Sequence, residues 1–154
     1  MSTIFYHPEA YEINSKKLMG RHAAGESFLR GFLSYSRAPT NNSIGVIGNE
    51  LSHAKQFALK AQKYRRKEDI TPLLATSLRE LTTEGPIYFP GPDISRYARV
   101  RQMIDDTNWS MCGITHTTAS ANSMDEISNW ITEPVMPWDA VICTSTAVKK
   151  NVEV

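Results

Sequence analysis

The 154-residue chain has little of what marks an exported, membrane-spanning or nucleic-acid-binding protein. It has two cysteines, Cys112 and Cys143, each inside an apolar run. Two thiols cannot cage a metal alone, and such positions usually hold reduced, buried thiols, so a reducing, cytoplasmic setting is expected. No apolar stretch approaches the ~20 residues of a membrane span. Met1-Ser2-Thr3 leads into a strand-like run rather than a basic and apolar leader. An excess of one charge is also missing. The 17 Lys and Arg against 16 Asp and Glu leave a net +1, so binding to nucleic acid by neutralising phosphates is not expected. The chain carries no paired Cys spacing, no His-Glu metal helix and no Gly-x-Ser-x-Gly elbow, which removes the best signals for metal-dependent and acyl-transfer chemistry. No metal or cofactor is expected. What remains, 41% hydrophobic and 21% charged, is the composition of an ordinary globular domain, and at ~150 residues per domain the length fits one.

Short apolar runs alternate with amphipathic stretches along the chain, the pattern of an α/β fold with a mainly parallel sheet and crossover helices. The runs are Ile4-Phe5-Tyr6, stopped by His7-Pro8, then Ser43 to Gly48, Ile87-Tyr88-Phe89, Trp109 to Thr117, and Ala140 to Cys143. The last is continuous rather than alternating, which predicts a strand covered by helices on both faces. Helical stripes fill the intervals. One runs from about Lys17 through Leu18, Phe28, Leu29, Phe32 and Leu33 to near Ser36. Another carries Leu51, Phe57, Ala58 and Ala61 behind a predicted Asn49 cap. Thr71-Pro72 predicts the cap and first turn of a helix bearing Leu74, Leu78 and Leu81, an inserted or edge element. Asp93 is a predicted cap for Tyr97, Val100 and Ile104, and Ser123 with Glu126 has capping-box spacing ahead of Ile127 and Ile131. Thr144-Ser145 opens a last helix that has only Ala147, Val148 and Val152 of an apolar stripe before Val154, so a domain cut from a longer protein is expected.

In an open parallel sheet the strand exits share one edge, and ligands bind there where the strand order reverses. The exit loops offer His7, Gly20-Arg21, Gly48-Asn49, Gly91-Pro92-Asp93, His116-Thr117-Thr118 and Thr144-Ser145. An imidazole at His116 can bond a sugar hydroxyl or stabilise a developing charge; a capped core histidine is the plainer alternative. Gly20-Arg21-His22-Ala23-Ala24-Gly25 brings small residues and a cation to a helix start, which suits a diphosphate, or equally close packing against the sheet. Lys63 to Lys67 reads as a contact for anionic lipid or as a solvated helix end, its field weakened by Glu68-Asp69. Trp109, Trp130 and Trp138 could stack sugars or close the core. Asp105-Asp106 with Thr107-Asn108 reads as a turn.

Three segments in this order resemble the N-terminal domain of the large group 1 (family 4) glycosyltransferases of the GT-B fold. They are Leu18 to Arg30, Gly113-Ile114-Thr115-His116-Thr117, and Trp138-Asp139-Ala140-Val141-Ile142-Cys143-Thr144-Ser145. The resemblance implies a Rossmann-like three-layer sandwich, the acceptor-side half of a two-domain enzyme. Residues 1–154 would then be truncated before the donor-binding C-terminal domain. It further implies a retaining glycosyltransferase, metal-independent, moving a sugar from a nucleotide-diphosphate sugar to an acceptor (a sugar, lipid-linked glycan or small molecule). That enzyme would be cytoplasmic, with peripheral contact at the inner face of the membrane. Carried over, Gly20 and Arg21 would approach the donor diphosphate, His116 would stand beside the transferred sugar as the catalytic residue, Thr117 would flank it, and Ser145 would face the cleft. One departure stands out: Met19 precedes Gly20 where many relatives carry two adjacent glycines. Half a cleft holds half the reactants, so the fragment alone is expected to be inactive. The alternative is a stand-alone Rossmann-like nucleotide-binding or regulatory module.

Overall fold

The first strand, β1 (Ser2–Phe5), lies at the centre of a six-stranded sheet and pairs in parallel with β2 (Ser43–Gly48) on one side and β4 (Pro86–Tyr88) on the other. Beyond β2 lies β3 (Asp69–Leu74). Beyond β4 lie β5 (Ser110–Thr115) and β6 (Ala140–Cys143), giving the order β3-β2-β1-β4-β5-β6 with every pairing parallel. The structure, a computed structural model, describes residues 2–12, 20–36, 42–80, 85–116 and 118–153, without the side chains of Arg21, Arg79 and Glu80. The helices among these residues are α1 (Pro8–Tyr11), α2 (Gly20–Tyr35), α3 (Leu51–Lys63), α4 (Ile94–Gln102), α5 (Ala121–Thr132) and α6 (Thr146–Val152). None of these helices is long and apolar enough to cross a membrane.

The crossovers between parallel strands sort these helices into two layers. Leu29, Phe32 and Leu33 of α2 and Phe57 of α3 pack with Ile4, Ile44 and Val46 on one face of the sheet. Strand residues of the opposite parity, Phe5, Ile47 and Ile87, join Ile94 and Ala98 of α4, with Trp130 of α5 packed against them on the other face. The result is the three-layer, Rossmann-like sandwich that the alternating runs predict. The chain steps outward from β1 to β2 and β3, then returns to β4 on the far side of β1. The order therefore reverses between β1 and β4, and the loops leaving these two strands diverge to open a crevice at their carboxyl ends.

A buried ion pair holds the β4-β5-β6 side. Arg101 near the end of α4 and Asp139 just before β6 are both 0% exposed at the side chain. The guanidinium donates through both terminal nitrogens to the two Asp139 oxygens at 2.8 Å, and to the carbonyls of Trp109 and Pro134. Asp139 also accepts from the Met111 and Met136 amides. One carboxylate thus joins α4, β5 and the turn entering β6.

Several local expectations are corrected. Thr71-Pro72 lies inside β3, not at a helix start. Proline fits there because an edge strand has one row of N–H groups with no neighbour to bond. A 3-10 helix over Ala75–Glu80 follows, burying Leu78; Leu81 lies outside the described residues. Glu50, not Asn49, holds the position before α3, without a side-chain cap bond, and Ser120, not Ser123, caps α5, its hydroxyl accepting from the Ser123 amide at 3.3 Å. Asp93 does precede α4, but without a side-chain cap bond, and the helix stops at Gln102 before Ile104. The strand over Ala140–Cys143 is not covered on both faces: exposure alternates along it, and Ile142 is 45% exposed, because β6 is an edge strand with one bare face. The short α1 over Pro8–Tyr11 has no counterpart in the periodicity reading. In the basic run, Arg66 is half-buried, donating to the carbonyls of Leu33 and Ser36 and to Glu68. Both cysteines are free and half-buried, and burial pushes the Cys112 thiol up.

Candidate functional site

The crevice between the exits of β1 and β4 widens into a cleft of about 610 Å³. Its walls are His7 after β1, Glu9 and Ala10 of α1, Pro90 to Asp93 after β4, His116 after β5, and Ser120, Asn122, Ser123 and Glu126 at the start of α5. Each wall is fixed by local physics. Tyr11 donates its hydroxyl to the Phe5 carbonyl at 2.7 Å and stacks on Tyr6, which folds α1 back over the end of β1 and sets His7 and Glu9 at the rim. Proline at the first position of α1 removes an amide that the helix could not have satisfied.

The loop after β4 is held against β5. Gly91 accepts from the Ile114 amide at 3.1 Å, and the approach is so close that a Cβ on Gly113 would stand 2.7 Å from the Gly91 oxygen. Gly113 therefore lets the two exits meet. On the other side, Trp130 of α5 donates its indole N–H to the Pro92 carbonyl at 2.8 Å, tying α5 to the same loop. That bond accounts for Trp130, and Trp109 is buried in the core, so two of the three tryptophans serve structure. The third, Trp138, is 48% exposed and lies over the Arg101 guanidinium, away from the cleft lining.

The cleft carries both imidazole and carboxylate. Burial pulls the His7 pKa down, opposed by Glu9, aided by His53 and opposed again by Asp93. Glu126 is pushed up, by burial first and then by the Asp93 charge, while Arg96 acts against that rise. Tyr97, behind the Asp93 loop, is pushed up to about 12 by burial and then by Asp93, so its hydroxyl stays protonated. Neutral imidazoles and ionised carboxylates accept hydrogen bonds, and the Ser and Asn side chains both donate and accept. Such a lining suits a small ligand rich in hydroxyl groups. Among the described residues no three of His, Cys, Asp and Glu come together in a way that could hold a metal ion.

Of the exit-loop residues singled out in the sequence, His7, Gly91, Pro92, Asp93 and His116 line this cleft. Gly20 begins α2 and is exposed, whereas the side chain of Arg21 and all of Thr117 lie outside the described residues. Ser145 caps α6, accepting from the Val148 amide at 3.1 Å, so its hydroxyl is engaged in the helix start. Neighbours of these residues do meet. Ala23 and Ala24 in the opening turns of α2 and Thr144 beside Ser145 line a second, apolar groove of about 720 Å³ with Phe28, Tyr88 and Ile142. The resemblance gathers Gly20, His116 and Ser145 at one cleft. Among the described residues, His116 lines the polar cleft, whereas Gly20 and Ser145 line neither it nor the groove.

Glu9, Asn122 and Ser120 escape the sequence reading, Glu126 enters it only as part of a capping box, and Asp93 enters it both as a helix cap and in the exit loop after β4. The missing signal is positional. A helix following a strand exit places its first turns on the same rim as the exit loop, so polar residues there belong to the candidate set. Compared with family models, with curated proteins and with solved structures, the chain matches none.

Proposed function

We propose that this chain is the acceptor-side domain of a retaining glycosyltransferase, and that the cleft at the β1/β4 switch point holds a sugar at the reacting end of the enzyme. The observation that supports this reading most is the convergence of the exits of β1, β4 and β5 with the start of α5 on one polar cleft walled by His116. The loops after parallel strands are where an open α/β sheet binds small ligands, and the residue types here match hydroxyl recognition. Transfer with retention requires the acceptor oxygen to arrive on the face from which the diphosphate departs. The new carbon–oxygen bond forms as the bond to phosphate breaks, and the acceptor proton passes to the leaving phosphate. A domain that contributes His116 beside the sugar would orient its hydroxyls for that exchange, because positioning supplies much of the rate. Donor affinity and full transfer would depend on a second domain across the cleft.

The test is a titration of the isotope-labelled 154-residue chain with glucose and with uridine diphosphate glucose, followed by amide shifts. Shifts centred on Gly91, Asp93, His116 and Ser120, weakened about tenfold or more by His116→Ala without loss of folding, are expected. Sugar-induced shifts centred elsewhere, or rapid sugar transfer by residues 1–154 alone, would overturn the reading. A response to uridine diphosphate glucose with none to glucose would turn the case toward a nucleotide-binding regulatory module.

A further inference from the structure

Three carboxylates face the polar cleft from three different elements: Glu9 of α1, Asp93 of the loop after β4, and Glu126 of α5. No Lys or Arg is among its described lining residues, and none of the three carboxylates enters an ion pair among the described residues. Arg96 of α4, which is exposed, acts on Glu126 from outside the lining. An ion pair that neutralised this wall would have removed its field. Among the described residues none does, and the negative charge faces the space a ligand would fill.

That field discriminates between acceptors. A phosphate or carboxylate entering the cleft would meet like charges in a partly dehydrated pocket, where Coulomb repulsion is several times stronger than in water. Hydroxyl groups donate to carboxylates in charge-assisted bonds about twice as strong as neutral ones, and an ammonium donates three such bonds while bringing the opposite charge. Building on the function proposed above, we infer that the acidic wall of Glu9, Asp93 and Glu126 selects a hydroxyl-rich acceptor without phosphate or carboxylate, and prefers one that carries an amino group, such as an amino sugar. The wall acts as a specificity filter on the site that His116 helps to form.

Three probes of one shape separate this inference from the reading it rests on: glucose, glucosamine and glucose 6-phosphate, titrated separately into the 154-residue chain near pH 7 at low salt. The expected order is glucosamine tightest, glucose several-fold weaker, and glucose 6-phosphate weaker again by about tenfold, all three moving the same amides. Glu126→Gln and Asp93→Asn together should narrow the spread of the three affinities several-fold, since both changes keep the shape of the wall while removing two of its three charges. Circular dichroism would establish that this double variant is folded, and the single Glu126→Gln variant carries the same test on one charge. Glucose 6-phosphate binding as tightly as glucose would overturn the inference while leaving the sugar site standing, and so would a spread unchanged in the folded double variant. Failure of all three probes to bind would remove the sugar site itself and the filter with it.

Discussion

The two halves of the sheet, on either side of the switch point, share aromatic packing and differ in one addition, a fully buried ion pair on the β4-β5-β6 side. On the β3-β2-β1 side the packing is aromatic and shape-dependent. Tyr6 stacks on Tyr11 and meets Phe57 edge-on, Phe32 meets Phe57 and Tyr88 edge-on, and Gly25 of α2 lies so close to α1 that a Cβ would overlap the Ala10 carbonyl oxygen. The β4-β5-β6 side also stacks aromatic rings, Phe89 on Phe5 and on Tyr97, but adds the fully buried Arg101–Asp139 pair and ends in an outer strand with alternating exposure. Both halves resist added volume, at Gly25 in the first and Gly113 in the second; the second also resists loss of charge. The cleft lies on the boundary, with His7 and Glu9 supplied by the first half and Asp93, His116 and Glu126 by the second. Its geometry depends on both kinds of adhesion at once.

The sharpest way to break the second half is Asp139→Ala. It leaves a buried guanidinium without its counter-ion and strips the Met111 and Met136 amides of their acceptor. Removing one partner of a buried pair costs about 3–5 kcal/mol, so urea denaturation should show a large fall in midpoint. An apolar double replacement, Arg101→Met with Asp139→Leu, should recover part of that loss, because it removes the stranded charge but leaves the Met111 and Met136 amides without their acceptor. If the single variant lost less than about 1 kcal/mol, the ionic account of this half would fail. In the first half the matching change is Gly25→Ala. Alanine favours a helix by about 1 kcal/mol over glycine. Overlap with Ala10 should outweigh that gain and leave a net loss of about 1–3 kcal/mol, measured in the same denaturant. A stabilised Gly25→Ala protein would show that α1 moves freely over α2.

The same contrast explains what the sequence made legible. Runs such as Ser43–Gly48 and Ala140–Cys143 carry their own hydrophobic signal, and the structure places strands on them residue for residue. Pro72 misled because a proline after threonine has the local chemistry of a helix start, and only the partner strand, β2, shows that it belongs to a sheet edge. The continuous apolar run of β6 predicts burial on both faces; its alternating exposure follows from its place at the edge of the sheet, where no described residue covers one face, a tertiary fact with no trace in four residues. Arg101 and Asp139 lie 38 positions apart, and nothing local distinguishes them from the neighbouring exposed Arg99. At the cleft, His116 was legible because it directly follows a strand. Glu9 and Glu126 were not, since each needs the course of a helix relative to a neighbouring exit before its direction means anything.

The smallest expected effect tests the boundary itself. Burial holds the His7 pKa below its ordinary value of 6.5, with Glu9 and Asp93 opposing and His53 assisting. Between the folded and the unfolded pKa the unfolded chain therefore binds more protons, so stability rises with pH in that interval. The contribution from His7 is complete above about pH 6.5 and is lost as the pH falls toward the folded value. Glu126, whose folded pKa is raised, works in the opposite sense, losing stability as the pH rises through its folded value, so the net profile of the wild-type protein mixes the two. His7→Gln isolates the first. Between about pH 7.5 and pH 5.5 the variant should lose less melting temperature than the wild type, by an amount smaller than either effect above, and the difference should vanish above pH 7. An equal or steeper acid loss in the variant would mean that the folded protein does not disfavour charge on His7, and that the two halves leave more water at their junction than the packing around Tyr6 and Tyr11 implies.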